Sequence, residues 1–99
     1  MPSLTPSQAI SQALVVAGER LARAPSLAMY QSIEAQLRYL QAVISGTEPD
    51  RTRLKTLNFG HYAARELEDS DPEFARVLFP AFYVASRMAR GLKVESVPE

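Results

Sequence analysis

An all-α fold, a compact antiparallel bundle of about four helices, follows from three features of this 99-residue sequence. Apolar residues recur at spacings of three and four along nearly its whole length. Prolines and glycines punctuate that pattern, and no stretch alternates with a period of two for long enough to make a strand.

The first helix is expected to begin at Thr5-Pro6, with threonine as N-cap and proline at the first helical position, where its missing N–H costs nothing. Ile10, Leu14, Ala17 and Leu21 supply the apolar stripe. Gly18 lies inside, weakens the helix by about 1 kcal/mol relative to alanine, and points to a close helix contact. Pro25 ends the segment, and Ser26 is placed to cap the second helix. Along that helix Tyr30, Ile33, Leu37, Leu40 and Ile44 form the cleanest stripe in the chain. Glu34 and Arg38 pair four residues apart on another face, and Gly46 is a natural stop.

A third helix is expected over residues 50–68, capped by Asp50, with Leu54, Leu57, Ala64 and Leu67 buried. Gly60 interrupts it, so the helix there either packs very closely or bends. The fourth helix opens on Ser70-Asp71-Pro72-Glu73, which combines a cap, an early proline and a Ser-x-x-Glu capping box. Phe74, Leu78, Ala81, Ala85, Met88 and Leu92 keep the helical period through Pro80, so a kink near residues 76–80 is expected rather than a break. Gly91 closes it, with Arg87, Arg90 and Lys93 suited to the negative end of its dipole. One domain, 1–99, accommodates all of this, with a loose tail from about residue 94.

Composition narrows the function. Eleven basic and eleven acidic residues give a net charge of zero, against a nucleic-acid partner, which calls for a basic face. With no cysteine there is neither a disulfide nor a thiolate metal site. The opening Met1-Pro2-Ser3-Leu4-Thr5-Pro6 lacks a signal-peptide pattern, and runs such as Phe82-Tyr83-Val84-Ala85 fall far short of the ~20 residues a membrane helix needs. The expectation is a cytoplasmic protein without a membrane partner.

Catalytic patterns are missing. His61 is the sole histidine and falls on or beside the buried stripe of the third helix, where a general base or metal ligand is one reading and a histidine packed at the core edge the better one. A nucleophile elbow, a glycine-rich phosphate loop and a cluster of metal ligands are all lacking. No catalytic residue, metal or cofactor is expected.

Charge distribution says more than its total. Glu66, Glu68, Asp69, Asp71 and Glu73 place five acids within eight residues with no base among them. They read either as a solvated helix connection or as an acidic knob for a basic cleft on a partner. Arg51, Arg53 and Lys55 form a smaller basic group. Tyr30 and Phe74 belong to the expected core. Tyr39 lies off the Leu37–Leu40 stripe beside Arg38, and Phe59, Tyr62 and Tyr83 cannot all face inward. Tyrosine with arginine is the composition of interface hot spots, which makes Arg38, Tyr39, Glu66, Glu68, Asp69 and Asp71 the interface candidates.

The pieces Gln36-Leu37-Arg38-Tyr39-Leu40, Asp50-Arg51 with Leu54 and Leu57, Gly60 followed by Ala63, Asp71-Pro72-Glu73-Phe74, and Tyr83-Val84-Ala85-Ser86-Arg87-Met88-Ala89-Arg90-Gly91-Leu92-Lys93 stand in a familiar order. Over about residues 8 to 94 the chain resembles the small helical immunity proteins that neutralise a type VI secretion effector with NAD(P)⁺ glycohydrolase activity. The resemblance implies a cytoplasmic antitoxin that binds the effector's toxin domain, covers its dinucleotide site and hydrolyses nothing. Pairing with a toxin of another class, a self-associating adaptor bundle, and a small enzyme using His61 and Glu66 are the alternatives. Surplus aromatic residues are compatible with a homodimer of the free chain.

Overall fold

The computed structural model describes residues 4–97. Three long helices carry the fold: α1 (Pro6–Arg23), α2 (Ala28–Ser45) and α4 (Pro72–Ala89). Between α2 and α4 lie a 3₁₀ turn (Thr52–Thr56), a short helix α3 (Phe59–Tyr62) and a π turn (Ala63–Leu67). α1 is the central element, packed on α2 and on α4, and the third segment packs on α4 and, through α3, on α2.

α1 starts as its sequence dictates. The Gln8 N–H donates to Thr5 Oγ1 and the Thr5 N–H to Gln8 Oε1, a reciprocal capping box ahead of Pro6. Its buried positions are Ala9, Ile10, Ala13, Ala17 and Arg20, so the core face is rotated from the expected stripe, and Leu14 and Leu21 are half-buried. Three alanines at four-residue spacing suit a helix sandwiched between two neighbours, because small side chains let the axes approach. Gly18 is not a contact: a Cβ there would meet nothing within 4 Å.

α2 begins at Leu27 with no side-chain cap, so Ser26 is not the cap; the Gln31 side-chain amide instead donates to the Pro25 carbonyl. Ile33, Leu37 and Leu40 are fully buried, and Glu34 pairs with Arg38 at 3.4 Å, both as the spacing requires. Gly46 ends the helix at φ 84°, a left-handed conformation that glycine adopts without steric cost.

The third segment departs most from expectation. Leu57 is extended (φ −68°, ψ 133°), which separates the 3₁₀ turn from α3. Gln36 of α2 holds this break open: its Oε1 accepts from the N–H groups of Asn58 (2.8 Å) and Phe59 (3.1 Å), and its Nε2 donates to Asn58 Oδ1 (2.7 Å). Side-chain acceptance replaces the preceding turn's carbonyls, so a new helix can start at Phe59. The register shifts with it: Phe59, Ala63 and Leu67 are buried, whereas Ala64 is exposed. Asp50 does not cap a helix; it accepts from the N–H and hydroxyl of Thr52 in a local turn. Gly60 is a close approach, since a Cβ there would fall on the Phe82 ring.

α4 runs unbroken through Pro80. Its cap is Asp71, which accepts from the Phe74 N–H; Ser70 is not part of a capping box and donates to the Glu66 carbonyl at 2.6 Å. Gly91, at φ 74°, closes the helix as Leu92 N–H reaches the Arg87 carbonyl. The tail is not loose from 94: Val97 is fully buried and forms an antiparallel bridge with Leu4, N–H to carbonyl in both directions (3.1 and 2.7 Å). Residues 98 and 99 lie outside the described residues.

Candidate interaction surface

The acidic run sits where the π turn hands over to α4. Burial of Ala63 and Leu67 fixes the turn against α4 and turns the intervening side chains outward, so Glu66, Glu68 and Asp69 are exposed. Among the described residues none of the three makes an ion pair. The backbone beneath is held by Asp71 N–H donating to the Leu67 carbonyl at 2.7 Å and by the Ser70 hydroxyl on Glu66. Three carboxylates on a short, tethered turn form a negative projection that attracts a cationic surface.

Asp71 belongs to a different construction. Arg20, nine-tenths buried on α1, donates through Nε to Asp71 Oδ2 (2.7 Å) and through Nη2 to Asp71 Oδ1 (3.1 Å) and Glu73 Oε1 (2.8 Å). Its hydrogen bond to Asp71 is the main cause that holds the Asp71 carboxyl below the usual carboxylate range, and the same contact raises Arg20 above its ordinary value. The Arg20 guanidinium also lies 5.9 Å from the centroid of the Phe74 ring, which stands edge-on to Tyr30. The cluster ties the end of α1 to the start of α4, and Asp71 is thereby removed from the set of free interface acids. Arg20 escaped the sequence reading, although it continues the Ile10, Ala13, Ala17 spacing onto the buried face.

Arg38 and Tyr39 do not form a joint site. Arg38 is exposed on α2 and borders a hollow of about 440 Å³ with Ser7, Ser11 and Gln41. Tyr39 is buried at 7% exposure: its hydroxyl donates to the Asp50 carbonyl (2.7 Å) and Arg53 stacks on its ring at 4.4 Å. The connection after Gly46 folds back over α2 and covers a position that helical spacing alone leaves outside. The exposed large apolar side chains include Phe79 and Tyr83 of α4 (41% and 38%); Phe79, an exposed ring at an ordinary helical position, had no signal of its own.

His61 is exposed at the core edge, its ring 5.7 Å from that of Phe82. It borders a groove of about 400 Å³ between the third segment and α4, floored by Leu57, Phe82 and Ala85 and rimmed by Lys55 and Arg90. Among the described residues that line this groove the others are cationic or apolar, apart from Ser86, and none is a carboxylate that could orient the imidazole for base catalysis. Among the described residues no three His, Asp or Glu side chains converge as metal ligands, and no helix is long and apolar enough to cross a membrane.

The chain is 40% identical over 92 residues to immune protein Tsi6 of Pseudomonas aeruginosa, spanning 93% of this chain and 98% of that protein. Its fold matches a chain in the structure of Tse6 in complex with Tsi6 at a TM-score of 0.85, with 40% identity over 91% of this chain and 96% of that one. Tsi6 from Pseudomonas aeruginosa in a separate structure matches at a TM-score of 0.78, with 38% identity over 83% of this chain and 95% of that one. The Tsi6 family model matches residues 5–87, so this chain belongs to the Tsi6 family.

Proposed function

We propose that this chain is a cytoplasmic immunity protein that binds the toxin domain of a cognate type VI secretion effector and protects the cell that makes it. One observation carries the reading: 40% identity across almost the entire length of an immune protein whose fold is seen together with Tse6. The toxin class follows from the resemblance to inhibitors of NAD(P)⁺ glycohydrolases. The chain acts by binding, without turnover.

The exposed carboxylates of Glu66, Glu68 and Asp69 supply the mechanism. A cleft that binds a dinucleotide gathers positive potential at the pyrophosphate, from cationic side chains or from the N–H groups of a helix start. An acidic turn fixed on a buried base competes for that charge and blocks entry. Preformed geometry avoids the ordering cost of a flexible loop and favours slow release, the property an enzyme inhibitor needs most.

Co-expression of the chain with the toxin domain of a cognate effector tests the function, with growth and cellular NAD⁺ as readouts. Restored growth and preserved NAD⁺ are expected, and unrelieved toxicity overturns the reading. For the placement, Glu68→Lys/Asp69→Lys is expected to weaken toxin binding by about tenfold or more and to flatten its salt dependence. Unchanged affinity and salt dependence reject the acidic turn as the contact.

A further inference from the structure

We propose that the groove beside His61 is the docking site for the acidic turn of a second copy of this chain, giving a two-fold dimer of the free protein. The groove has an apolar floor, Leu57, Phe82 and Ala85, and a rim of Lys55, His61 and Arg90. No carboxylate lines it, and among the described residues neither Lys55 nor Arg90 makes an ion pair. Glu66, Glu68 and Asp69 are equally uncompensated. The cations that the acidic turn lacks are present at the groove.

Both patches belong to the layer formed by the third segment and α4. The π turn joins the N-terminal end of α4 through the Leu67–Asp71 hydrogen bond, while Lys55 and His61 flank the Phe82, Ser86 and Arg90 row toward its C-terminal end. Charge is thus separated along α4, negative beside its N-terminal end and positive toward its C-terminal end. Phe79 and Tyr83 lie between them, three residues from Phe82 and Ser86 respectively, and so form the adjoining row.

A two-fold axis through this middle sets each acidic turn over the partner's groove and brings the two aromatic rows together. Such an interface is self-complementary and closed. Exposed aromatic rings at the centre with charged pairs around them are the anatomy of a stable contact. The dimer shares its acids with the proposed toxin contact but does not depend on that function. If both hold, toxin and second copy compete for the same turn.

Sedimentation velocity of the full chain over a concentration series, at low and near-physiological salt, tests the dimer. A reversible dimer that weakens with salt is expected. Lys55→Glu/Arg90→Glu and Glu66→Lys/Glu68→Lys should each weaken it by about tenfold or more, and an equimolar mixture of the two variants should dimerise again, because both contacts regain opposite charge. Circular dichroism establishes that each variant is folded; Phe79→Glu, at an exposed position on the axis, gives the same loss should a reversal variant misfold. A monomer at every concentration, a dimer indifferent to these changes, or folded variants that do not complement overturns the proposal. Toxin binding by the Lys55→Glu/Arg90→Glu variant keeps the two readings apart. Its retention alongside loss of the dimer is expected, and failure of the wild-type chain to bind toxin removes the immunity reading alone.

Discussion

Glu66, Glu68 and Asp69 stand in solvent on the outer side of the π turn, while Asp71 and Glu73, only a few residues on, close around Arg20. The five acids look alike in sequence. What separates them is the neighbour that the fold delivers: α1 brings a buried guanidinium to the start of α4 and brings nothing to the turn. The first group holds charge available for a partner, and the second holds two helices together. A charge run in a sequence therefore marks a region, and only the packing tells which members face outward.

The largest effect that distinguishes the two groups is expected from Asp71→Ala. It removes the cap of α4 and leaves the buried Arg20 with Glu73 as its remaining strong partner, and stability should fall by about 2–4 kcal/mol in urea unfolding followed by circular dichroism. The same contact predicts a pH dependence. The folded Asp71 carboxyl titrates below its unfolded value of about 3.9, so its stabilisation is complete above that value and is lost as pH falls through the folded pKa. Asp71→Asn should flatten the decline of the thermal midpoint in that acid window, and equal slopes in both proteins would break the assignment. Glu73→Gln is expected to cost under about 1 kcal/mol, because that side chain is 70% exposed and water screens the pair. Smallest of all, Glu68→Lys/Asp69→Lys should change stability by no more than about 0.5 kcal/mol, so that any loss of toxin binding reports on contact rather than folding. A drop comparable to that of Asp71→Ala would erase the distinction.

Legibility in the sequence followed the range of the forces involved. The Thr5 cap, the Gly46 and Gly91 stops, the Glu34–Arg38 pair and the Ile33, Leu37, Leu40 stripe depend on residues within a turn or two of one another, and each appears as the spacing dictates. The break at Leu57–Asn58 depends on Gln36, more than twenty positions away, and the periodicity of residues 50–68 carries no sign of it. Two glycines inside apparent helices teach the same lesson. Gly60 meets Phe82 while Gly18 meets nothing, a distinction set by the opposing helix alone. At the candidate surface, the exposed acids were legible as a cluster. The pairing of Asp71 with Arg20 and the covering of Tyr39 by Arg53 were not, because both follow from segments that arrive from elsewhere in the chain.

The Leu4–Val97 bridge makes neighbours of positions more than ninety residues apart. Fraying at either extremity is consequently a single shared event: once Val97 leaves its buried site, Leu4 loses both its hydrogen-bonding partners, and amide protection at the two positions should vanish together. A short peptide spliced between those positions would turn the fold into a covalent ring without disturbing the helices.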